Sequence, residues 1–500
     1  MGRDREVTDT LTGCVLIFES WQDVEGQMSR NDDVDRKAGK AGLWYTIANV
    51  LLKGCVFLSL PIFTRLMATG DFGIYNSYIA YEQLLQAVLG LGLYGTVKNA
   101  KLDFEEDFER YLSSVLSLSL IVLAVVLTSA NILYGIYGEM IGFSRFVVNC
   151  LILQSFGAYL VFFYGSKLNI EFRYKSYIVI SCFNTLVNIA ASIILIIWVF
   201  PNERYLGRIL GSALPMIIIA LVLSASILRR GRVVYEAQYW KYALSIGLPL
   251  IPHVVSQSLL SQFDRIMIRN MISDASSGIY SYIYTICTIT FIICTSLDNA
   301  WTPWVYIKLK AGDERTIRTA GKWYTILFAV LTLGFICVMP ELVKLIADES
   351  YWAGEDLLVP LALANYCVFL YMLPVGLEYY HKKTKFISIG TISAALLNLV
   401  LNYFAILAFG YKAAAYTTLA SYLALFFFHL LIARRLGFGR LYDIRWITAV
   451  TALLFAASFG ILTLYGKGFA DVAVRYAVAF VLLILIFKER RRLVVIAGRG

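Results

Sequence analysis

The chain contains few charged residues and no stretch in which polar and apolar residues alternate strictly. Asp, Glu, Lys and Arg make up 16% of the 500 residues, whereas hydrophobic residues make up 59% and the mean hydropathy is +0.69. Such a composition excludes an ordinary soluble globular protein. Because alternation is the pattern of a half-buried strand, its absence predicts that the apolar stretches are helices.

Sequence signals of several enzyme and binding classes are also missing. The eight Cys are scattered, mostly within apolar stretches, and no two have the spacing of a metal or redox site, so we interpret them as small apolar residues. There is no glycine-rich phosphate-binding loop of the type GxxxxGKS or GxxxxGKT, and direct use of ATP is not expected. The loops between apolar stretches are short and leave no room for a sizeable catalytic domain. We therefore predict no enzyme activity, no cofactor and no bound metal.

Fourteen long apolar runs account for most of the chain. Each is close to the roughly 20 residues that an apolar helix needs to cross a bilayer core. In lipid, a single segment satisfies its backbone hydrogen bonds by forming a helix. The predicted fold class is therefore all-α, a polytopic membrane protein with about 14 transmembrane helices. The runs are 43–63, 74–96, 112–134, 146–166, 176–200, 206–228, 243–268, 277–303, 324–346, 357–378, 386–409, 413–433, 446–465 and 472–487.

Lys and Arg fall almost entirely on every second loop. The loop between the sixth and seventh runs carries four basic residues, whereas the loop after it carries only Arg269. This alternation predicts that the basic loops and both termini are cytoplasmic. It also explains the net charge of +10 without nucleic-acid binding.

The first forty residues are polar, mixed in charge, and lack the apolar core of a signal peptide. We interpret residues 1–40 as a cytoplasmic N-terminal segment. Met28 is an alternative start, because residues 28–40 already form a sufficient lead into the first run.

An internal repeat divides the chain into two halves. Phe63-Thr64-Arg65 is followed by Gly73-Ile74-Tyr75. About two hundred residues later, Phe263-Asp264-Arg265 is followed in the same way by Gly278-Ile279-Tyr280. Two parallel six-helix halves are typical of transporters that hold their substrate between the halves. The predicted organisation is a six-helix bundle (41–228), a cytoplasmic linker (229–242), a second six-helix bundle (243–433), two extra transmembrane helices (446–487) and a basic tail (488–500).

Five short segments carry a resemblance to a known family: Lys53-Gly54, residues 60–66, residues 72–75, residues 248–253 and Asp264-Arg265. Through them the chain resembles the oligosaccharide-lipid flippases of bacterial polysaccharide synthesis, the Wzx-type branch of the multidrug/oligosaccharidyl-lipid/polysaccharide exporter superfamily. The resemblance implies a V-shaped pair of bundles with a cavity that is exposed alternately to each side of the inner membrane. It also implies a polyprenyl-diphosphate-linked oligosaccharide as substrate, with the polymerase and glycosyltransferases of the same pathway as partners.

Polar residues deep in the first two runs are candidate site residues. An ionisable residue in a membrane costs about 3 kcal/mol, so each is a functional candidate. Lys53 lies near the middle of the first run and shares a helix face with Asn49. Both are predicted to bind substrate. Glu82 in the second run is predicted either to pair with Lys53 or to take part in ion coupling.

Three arginines lie at the outer ends of the first and seventh runs. Arg265 and Arg269 are four residues apart and therefore neighbours on one helix face. They are predicted to bind the diphosphate through forked hydrogen bonds, and Arg65 takes the corresponding place in the first half. The alternative is that these arginines contact the headgroup phosphates of the outer leaflet.

The seventh run carries a second set of polar residues. His253, Gln257 and Asp264 lie on one helix face and are predicted to take part in coupling or gating. H⁺ or Na⁺ is the ion that they would carry, and the membrane potential is the competing energy source.

Other polar residues are interpreted as structural. Glu378 and Arg208 lie near the ends of runs and are assigned to the membrane interface. Two Asn pairs at matching places of the two halves are predicted to link helices through hydrogen bonds. These pairs are Asn184 with Asn188 and Asn398 with Asn402.

Two alternatives to a flippase remain. A multidrug or cation antiporter would share the architecture, but its cavity should be dominated by acids, whereas Lys53, Arg65 and Arg265 are cations. An integral-membrane polysaccharide polymerase would require a larger extramembrane region than this chain offers.

Overall fold

The computed structural model describes residue 44, residues 51–52, residues 54–466 and residues 468–498, with side chains described as far as residue 489. Within these ranges the chain is helical and contains no strand, and twelve stretches are long and apolar enough to cross a membrane. The predicted all-α polytopic fold is confirmed. The helices are α1 (Gly54–Leu66), α2 (Thr69–Leu89), α3 (Val97–Asp103), α4 (Phe108–Ile141), α5 (Arg145–Ile170), α6 (Tyr174–Ile194), α7 (Arg204–Gly231), α8 (Ala237–Gly247), α9 (Ile251–Met271), α10 (Asp274–Lys310), α11 (Glu314–Ile346), α12 (Leu358–Tyr380), α13 (Thr384–Phe409), α14 (Ala413–Arg435), α15 (Ile444–Leu462) and α16 (Phe469–Gly498).

Each predicted run overlaps a helix, but the first two runs are not among the twelve apolar stretches. In the first run, most of the residues before α1 lie outside the described part of the chain. The second run corresponds to α2, which is 21 residues long and carries Asp71 and Glu82. A helix with this many polar residues is one that packs against other helices or a cavity rather than against lipid.

Several helices are longer than the runs that predicted them. α4, α10 and α11 contain 34, 37 and 33 residues. At 1.5 Å per residue, about 37 residues span roughly 55 Å, well beyond the ~30 Å hydrocarbon core. The additional turns lie in segments that the hydropathy pattern assigned to loops.

Two serine caps mark where helices begin after short turns. The hydroxyl of Ser144 accepts from the backbone N–H of Val147 at the start of α5, and that of Ser273 accepts from Ser276 at the start of α10. Such caps satisfy one of the free N–H groups of a first helical turn. The loop charges predict that both turns lie on the side of the membrane opposite the cytoplasm, and we call this end of the helices the predicted outer end.

The seventh run is broken into α8 and α9 by a 3₁₀ turn at Leu248–Leu250. Pro249 in this turn has no backbone N–H, which interrupts the helical hydrogen bonds. α8 packs on the N-terminal half, where the indole N–H of Trp240 donates to the Ser114 carbonyl at 2.9 Å. α9 packs on α13 in the C-terminal half. The predicted linker at 229–242 therefore includes the first turns of a helix that joins the two halves.

The last two helices are attached to the C-terminal half by charged contacts. Arg475 of α16 is buried and binds the Glu341 carboxylate of α11 with two nitrogens. Asp443, in the loop before α15, accepts from Lys322 at 2.8 Å. This bond and the backbone N–H of Trp446 lower the pKa of the Asp443 carboxyl group.

Candidate functional site

The two copies of the repeated Gly-Ile-Tyr segment meet where α2 crosses α10. A Cβ atom on Gly73 would lie 1.9 Å from the carbonyl oxygen of Asp274, and one on Gly278 would lie 1.9 Å from that of Thr69. Only glycine allows the backbones of two helices to approach this closely at both positions. The two segments of the sequence repeat therefore contact each other across the boundary between the two halves.

Hydrogen bonds reinforce this contact at the predicted outer end. The hydroxyl of Thr64 donates to the Ile346 carbonyl at 3.2 Å, and that of Tyr351 donates to the Met67 carbonyl at 3.0 Å. Each bond joins α1, or the turn after it, to the C-terminal half, so the predicted outer end is closed. A third link is the 3.3 Å contact between the hydroxyl oxygens of Ser77 and Ser277.

A cavity of about 530 Å³ lies beside this contact, lined by α2 and by five helices of the C-terminal half. Its volume falls within the roughly 300–1,000 Å³ of small-molecule sites. Among the described residues that line it, Arg265 is the only charged one. The predicted site residues Arg265 and Gln257 therefore both face the cavity. The other polar or aromatic side chains of the lining are Asn76, Gln83, Ser258, Ser261, Gln262, Tyr284, Thr285, Thr288, Phe291, Asn365, Tyr371, Thr391 and Tyr422.

Arg265 is held by neutral groups. Its Nη1 donates to the Ser261 carbonyl at 3.1 Å and to the side-chain oxygen of Gln262. Its guanidinium carbon lies 4.3 Å from the ring centroid of Tyr284, in cation–π contact. Among the described residues it forms no ion pair, and Nε and Nη2 have no hydrogen-bond partner. This free edge has the two-donor geometry that binds phosphate.

Asp264, next to Arg265 in sequence, is only 1% exposed and accepts three hydrogen bonds. The hydroxyls of Tyr280 and Thr418 both donate to Oδ2 at 2.7 Å, and the Asn402 amide donates to Oδ1 at 2.6 Å. Asn402 in turn donates to Asn398 at 3.0 Å. The Asn pair of α13 thus links helices, as predicted, and does so through a buried carboxylate.

Arg269 lies outside the cavity lining and has a complete set of partners. Its Nε donates to Asp274 at 2.7 Å, and Nη1 and Nη2 donate to the carbonyls of Ile141 and Gly142 at 3.2 and 3.0 Å. Arg65 is exposed and donates to the Leu345 carbonyl at 3.2 Å. Both arginines therefore join the halves at the predicted outer end. Their contact with substrate stays a prediction, and for Arg269 it would require these bonds to break.

The remaining predicted residues are spread over both halves. Glu82 is buried in α2 on the N-terminal side and forms no hydrogen bond or ion pair with any described residue. His253 is half-buried in α9, and its Nδ1 is a buried atom without a hydrogen-bond partner in the described part of the chain. Lys53 and Asn49 lie outside the described residues. These roles stay predictions.

Three groups of side chains were missed by the sequence analysis. Tyr371 and Tyr422 line the cavity with their rings stacked, the centroids 6.2 Å apart. Glu378, which was assigned to the interface, is fully buried and bonds to Nδ1 of His429 at 2.8 Å. Arg208 binds two side chains of α6 within the N-terminal half. Each contact joins two different helices, so no pattern within a single apolar run signals these groups.

A two-half helical bundle that is closed at one end and holds a polar cavity between the halves is an architecture typical of membrane transporters. The chain belongs to the polysaccharide biosynthesis protein family, whose model matches residues 38–306, more than half of the 500 residues. An uncharacterized membrane protein of Haemophilus influenzae is 26% identical over 380 residues, which cover 71% of this chain and 87% of that protein.

Solved structures share the fold. The lipid II flippase MurJ in an inward closed conformation matches with a TM-score of 0.70 at 13% identity, over 90% of this chain and 99% of that one. An inward-facing multidrug resistance transporter of the MATE family, in the MOP superfamily, matches with a TM-score of 0.62 at 13% identity, over 80% and 96% of the two chains. The family match confirms the resemblance to proteins of polysaccharide synthesis, and the solved structures show that the chain shares its fold with a flippase and a transporter, not with enzymes.

Proposed function

We propose that this protein is a flippase that moves a polyprenyl-diphosphate-linked oligosaccharide from the cytoplasmic to the outer leaflet of the inner membrane. The product would serve the synthesis of a surface polysaccharide such as O-antigen, capsule or exopolysaccharide, together with the polymerase and glycosyltransferases of that pathway. The observation that carries the proposal is the cavity itself. Among the described lining residues its single charge is the Arg265 cation with a free fork of donors, and the rest are amides, hydroxyls and aromatic rings.

The cavity solves the problem that a sugar diphosphate presents in hydrocarbon. Moving such a headgroup out of water without new hydrogen bonds costs many kcal/mol. The amides and hydroxyls replace water around the sugar, tyrosine rings offer apolar faces with polar tips, and Arg265 binds the diphosphate. The lipid tail remains in the bilayer. Opening of the predicted outer end, with closure of the other end, would expose the headgroup to the outer side. In this arrangement both termini are cytoplasmic.

Asp264 is the group best placed to couple transport to an ion. It is buried, it directly precedes Arg265 in the sequence, and one amide N–H and two hydroxyls donate hydrogen bonds to its carboxylate. Binding of H⁺ or Na⁺ there would change the charge beside the substrate arginine. The membrane potential is the competing source, since about two negative charges crossing about 100 mV release roughly 4–5 kcal/mol.

Transport into vesicles tests the proposal. The wild-type protein is reconstituted with a short polyprenyl-diphosphate saccharide that carries a fluorescent label, and outward movement is followed while the potential and the ion gradients are clamped separately. We expect Arg265→Gln to lose transport and Arg265→Lys to retain part of it, because Lys keeps the charge but not the fork. Arg315→Gln is the matched control, since Arg315 is exposed at the start of α11. Transport by Arg265→Gln at the wild-type rate would refute the proposal.

An antiporter for organic cations is the second candidate. The observation in its favour is the buried carboxylate of Asp264, which could bind a cation. The observation against it is that a cation binder should place an acid in its cavity, whereas no described lining residue is acidic. Deletion of the gene separates the two functions. Lipid-linked saccharides trapped on the cytoplasmic leaflet support the flippase, whereas a normal distribution with altered drug sensitivity supports the antiporter.

A further inference from the structure

The arginines within the helices differ in how completely they are bonded. Arg475 binds a carboxylate with both terminal nitrogens, and all three nitrogens of Arg269 have acceptors. Arg265 and Arg208, by contrast, form no ion pair with any residue that the structure describes. A cation in a membrane helix without a carboxylate is costly, and such residues mark functional sites.

Arg208 on α7 is held in the same manner as Arg265. Its Nη1 donates to the Asn188 side-chain oxygen and to the Ser192 hydroxyl, both at 2.6 Å. Its guanidinium carbon lies 3.9 Å from the ring centroid of Phe63 and 4.4 Å from that of Tyr75. Nε and Nη2 have no hydrogen-bond partner in the described chain. As in Arg265, one nitrogen and a ring face fix the guanidinium, and the other edge keeps its donors free.

The position of Arg208 connects it to the cavity and to the closed end. Tyr75 precedes Asn76, which lines the cavity, and Phe63 precedes Thr64, which bonds across the closed contact. Arg208 is itself half-buried. Phe63, Tyr75 and Arg208 all belong to the N-terminal half, so opening of the predicted outer end would move the three together away from the C-terminal half and expose this group to the exit side.

We propose that Arg208 is a second diphosphate-binding residue, which takes the diphosphate from Arg265 when the predicted outer end opens. This inference rests on the proposed function. The free Nε and Nη2 edge matches two phosphate oxygens, and the ring contacts orient it. Because Arg208 belongs to the half that moves away from Arg265, binding there draws the headgroup toward the exit side. The protein can then return to the closed state without the diphosphate bound to Arg265.

The experiment compares two conformational forms of the purified full-length protein in detergent. The hydroxyl oxygens of Ser77 and Ser277 lie 3.3 Å apart, so a Ser77→Cys/Ser277→Cys variant is placed to form a disulfide that holds the predicted outer end closed. The probe is fluorescently labelled geranylgeranyl diphosphate, and its dissociation constant is measured in the oxidised and the reduced form. Melting temperatures without probe are measured in parallel.

We expect Arg265→Gln to weaken probe binding in both forms and Arg208→Gln to weaken it about tenfold in the reduced form only, the loss of one charge-assisted contact. Arg208→Lys should lose less, because it keeps the charge, and Arg315→Gln should lose nothing. Binding by Arg208→Gln at the wild-type level in the reduced form would overturn the inference. So would an equal loss in both forms together with a lower melting temperature, which indicates a structural role.

Two further outcomes separate this inference from the proposed function and from lipid binding. If the wild type fails to bind the probe, or if Arg265→Gln binds it normally, the proposed function itself fails. If Arg208→Gln retains less phosphatidylglycerol but binds the probe normally, Arg208 anchors a phospholipid headgroup and the diphosphate assignment is wrong.

Discussion

In the C-terminal half Asn402 of the α13 pair contacts a carboxylate, whereas in the N-terminal half the matching Asn188 of the α6 pair contacts a guanidinium. The Asn402 amide donates to Asp264 at 2.6 Å, and the Asn188 side-chain oxygen accepts from Arg208 at 2.6 Å. An asparagine can serve either charge because it carries both a donor and an acceptor. The two halves therefore share the asparagine but differ in the sign of the charge that its amide group contacts.

A second charge reversal lies near the ends of α5 and α12, which are the fourth long helices of the two halves. The buried residue there is a Lys in α5 and a Glu in α12. Lys167 of α5 is buried and pairs with Glu109, whose side chain is 38% exposed. Glu378 of α12 pairs with His429, and these two side chains are 0% and 1% exposed. The halves thus share a backbone plan but not an electrostatic one. A carboxylate cluster suits a cation such as H⁺ or Na⁺, and a guanidinium cluster suits an anion, so the two halves are not interchangeable.

The largest effect is expected from breaking the carboxylate cluster. Asp264→Ala leaves the donors of Tyr280, Thr418 and Asn402 buried without an acceptor, and each such group costs about 1–3 kcal/mol. We expect a marked fall in melting temperature and complete loss of transport. Asp264→Asn keeps an acceptor oxygen, so its melting temperature should lie close to that of the wild type. It should still fail to transport, because its neutral amide lacks the charge that couples transport to an ion.

The matched variant in the other half is Arg208→Met. This substitution leaves two acceptors, the side-chain oxygens of Asn188 and Ser192, without their donor. Its melting temperature should therefore fall less than that of Asp264→Ala. If Asp264→Asn transports with the same dependence on ion gradients as the wild type, the carboxylate cluster is structural and the electrostatic contrast between the halves has no role in coupling.

The overall plan of the two halves could be predicted from sequence because the signals are local. The length of each apolar run and the charge of each loop gave the order of the helices, and the repeated Gly-Ile-Tyr segments lie at the contact between halves. Arg265 and Gln257 were found because polar residues in an apolar run are candidate site residues, and both line the cavity. Asp264 and Arg269, which were predicted to share a helix face with one or the other, are not among the lining residues.

The charge reversals could not be predicted, because they depend on partners in distant parts of the chain. Arg208 lies between the rings of Phe63 and Tyr75, more than a hundred residues earlier. Arg269 binds the carbonyl oxygen of Gly142, and a backbone acceptor leaves no signal in the sequence. A side chain near the end of an apolar run is assigned to the interface by default, and this default gave no indication that Glu378 is buried against His429.

A smaller effect is expected from the two acid–base pairs near the ends of α5 and α12, which are Lys167 with Glu109 and Glu378 with His429. His429→Leu leaves the Glu378 carboxylate buried without its partner, and removing one member of a buried pair costs about 3–5 kcal/mol. Lys167→Met leaves Glu109, whose Oε2 is buried but whose side chain is 38% exposed and can turn toward water, so the cost should be about 1 kcal/mol. Melting temperatures in detergent measure the difference. His429→Gln, which can still bond to Glu378, is the control, and equal losses in the Leu and Met variants would show that the two pairs are equivalent.

The smallest effect is expected from the arginines that join the halves at the predicted outer end. Arg269→Gln removes charge-assisted bonds to Asp274 and to the Gly142 carbonyl, each worth about 1.5–3 kcal/mol in buried settings and less here because the site is partly exposed. We expect a several-fold slower formation of the Ser77→Cys/Ser277→Cys disulfide, since the closed state is less populated. Arg65→Gln should change this rate little, because the Arg65 side chain is exposed and makes a single bond to a carbonyl. A wild-type disulfide rate in Arg269→Gln together with weaker binding of geranylgeranyl diphosphate would show instead that Arg269 contacts the substrate, as its sequence position predicts.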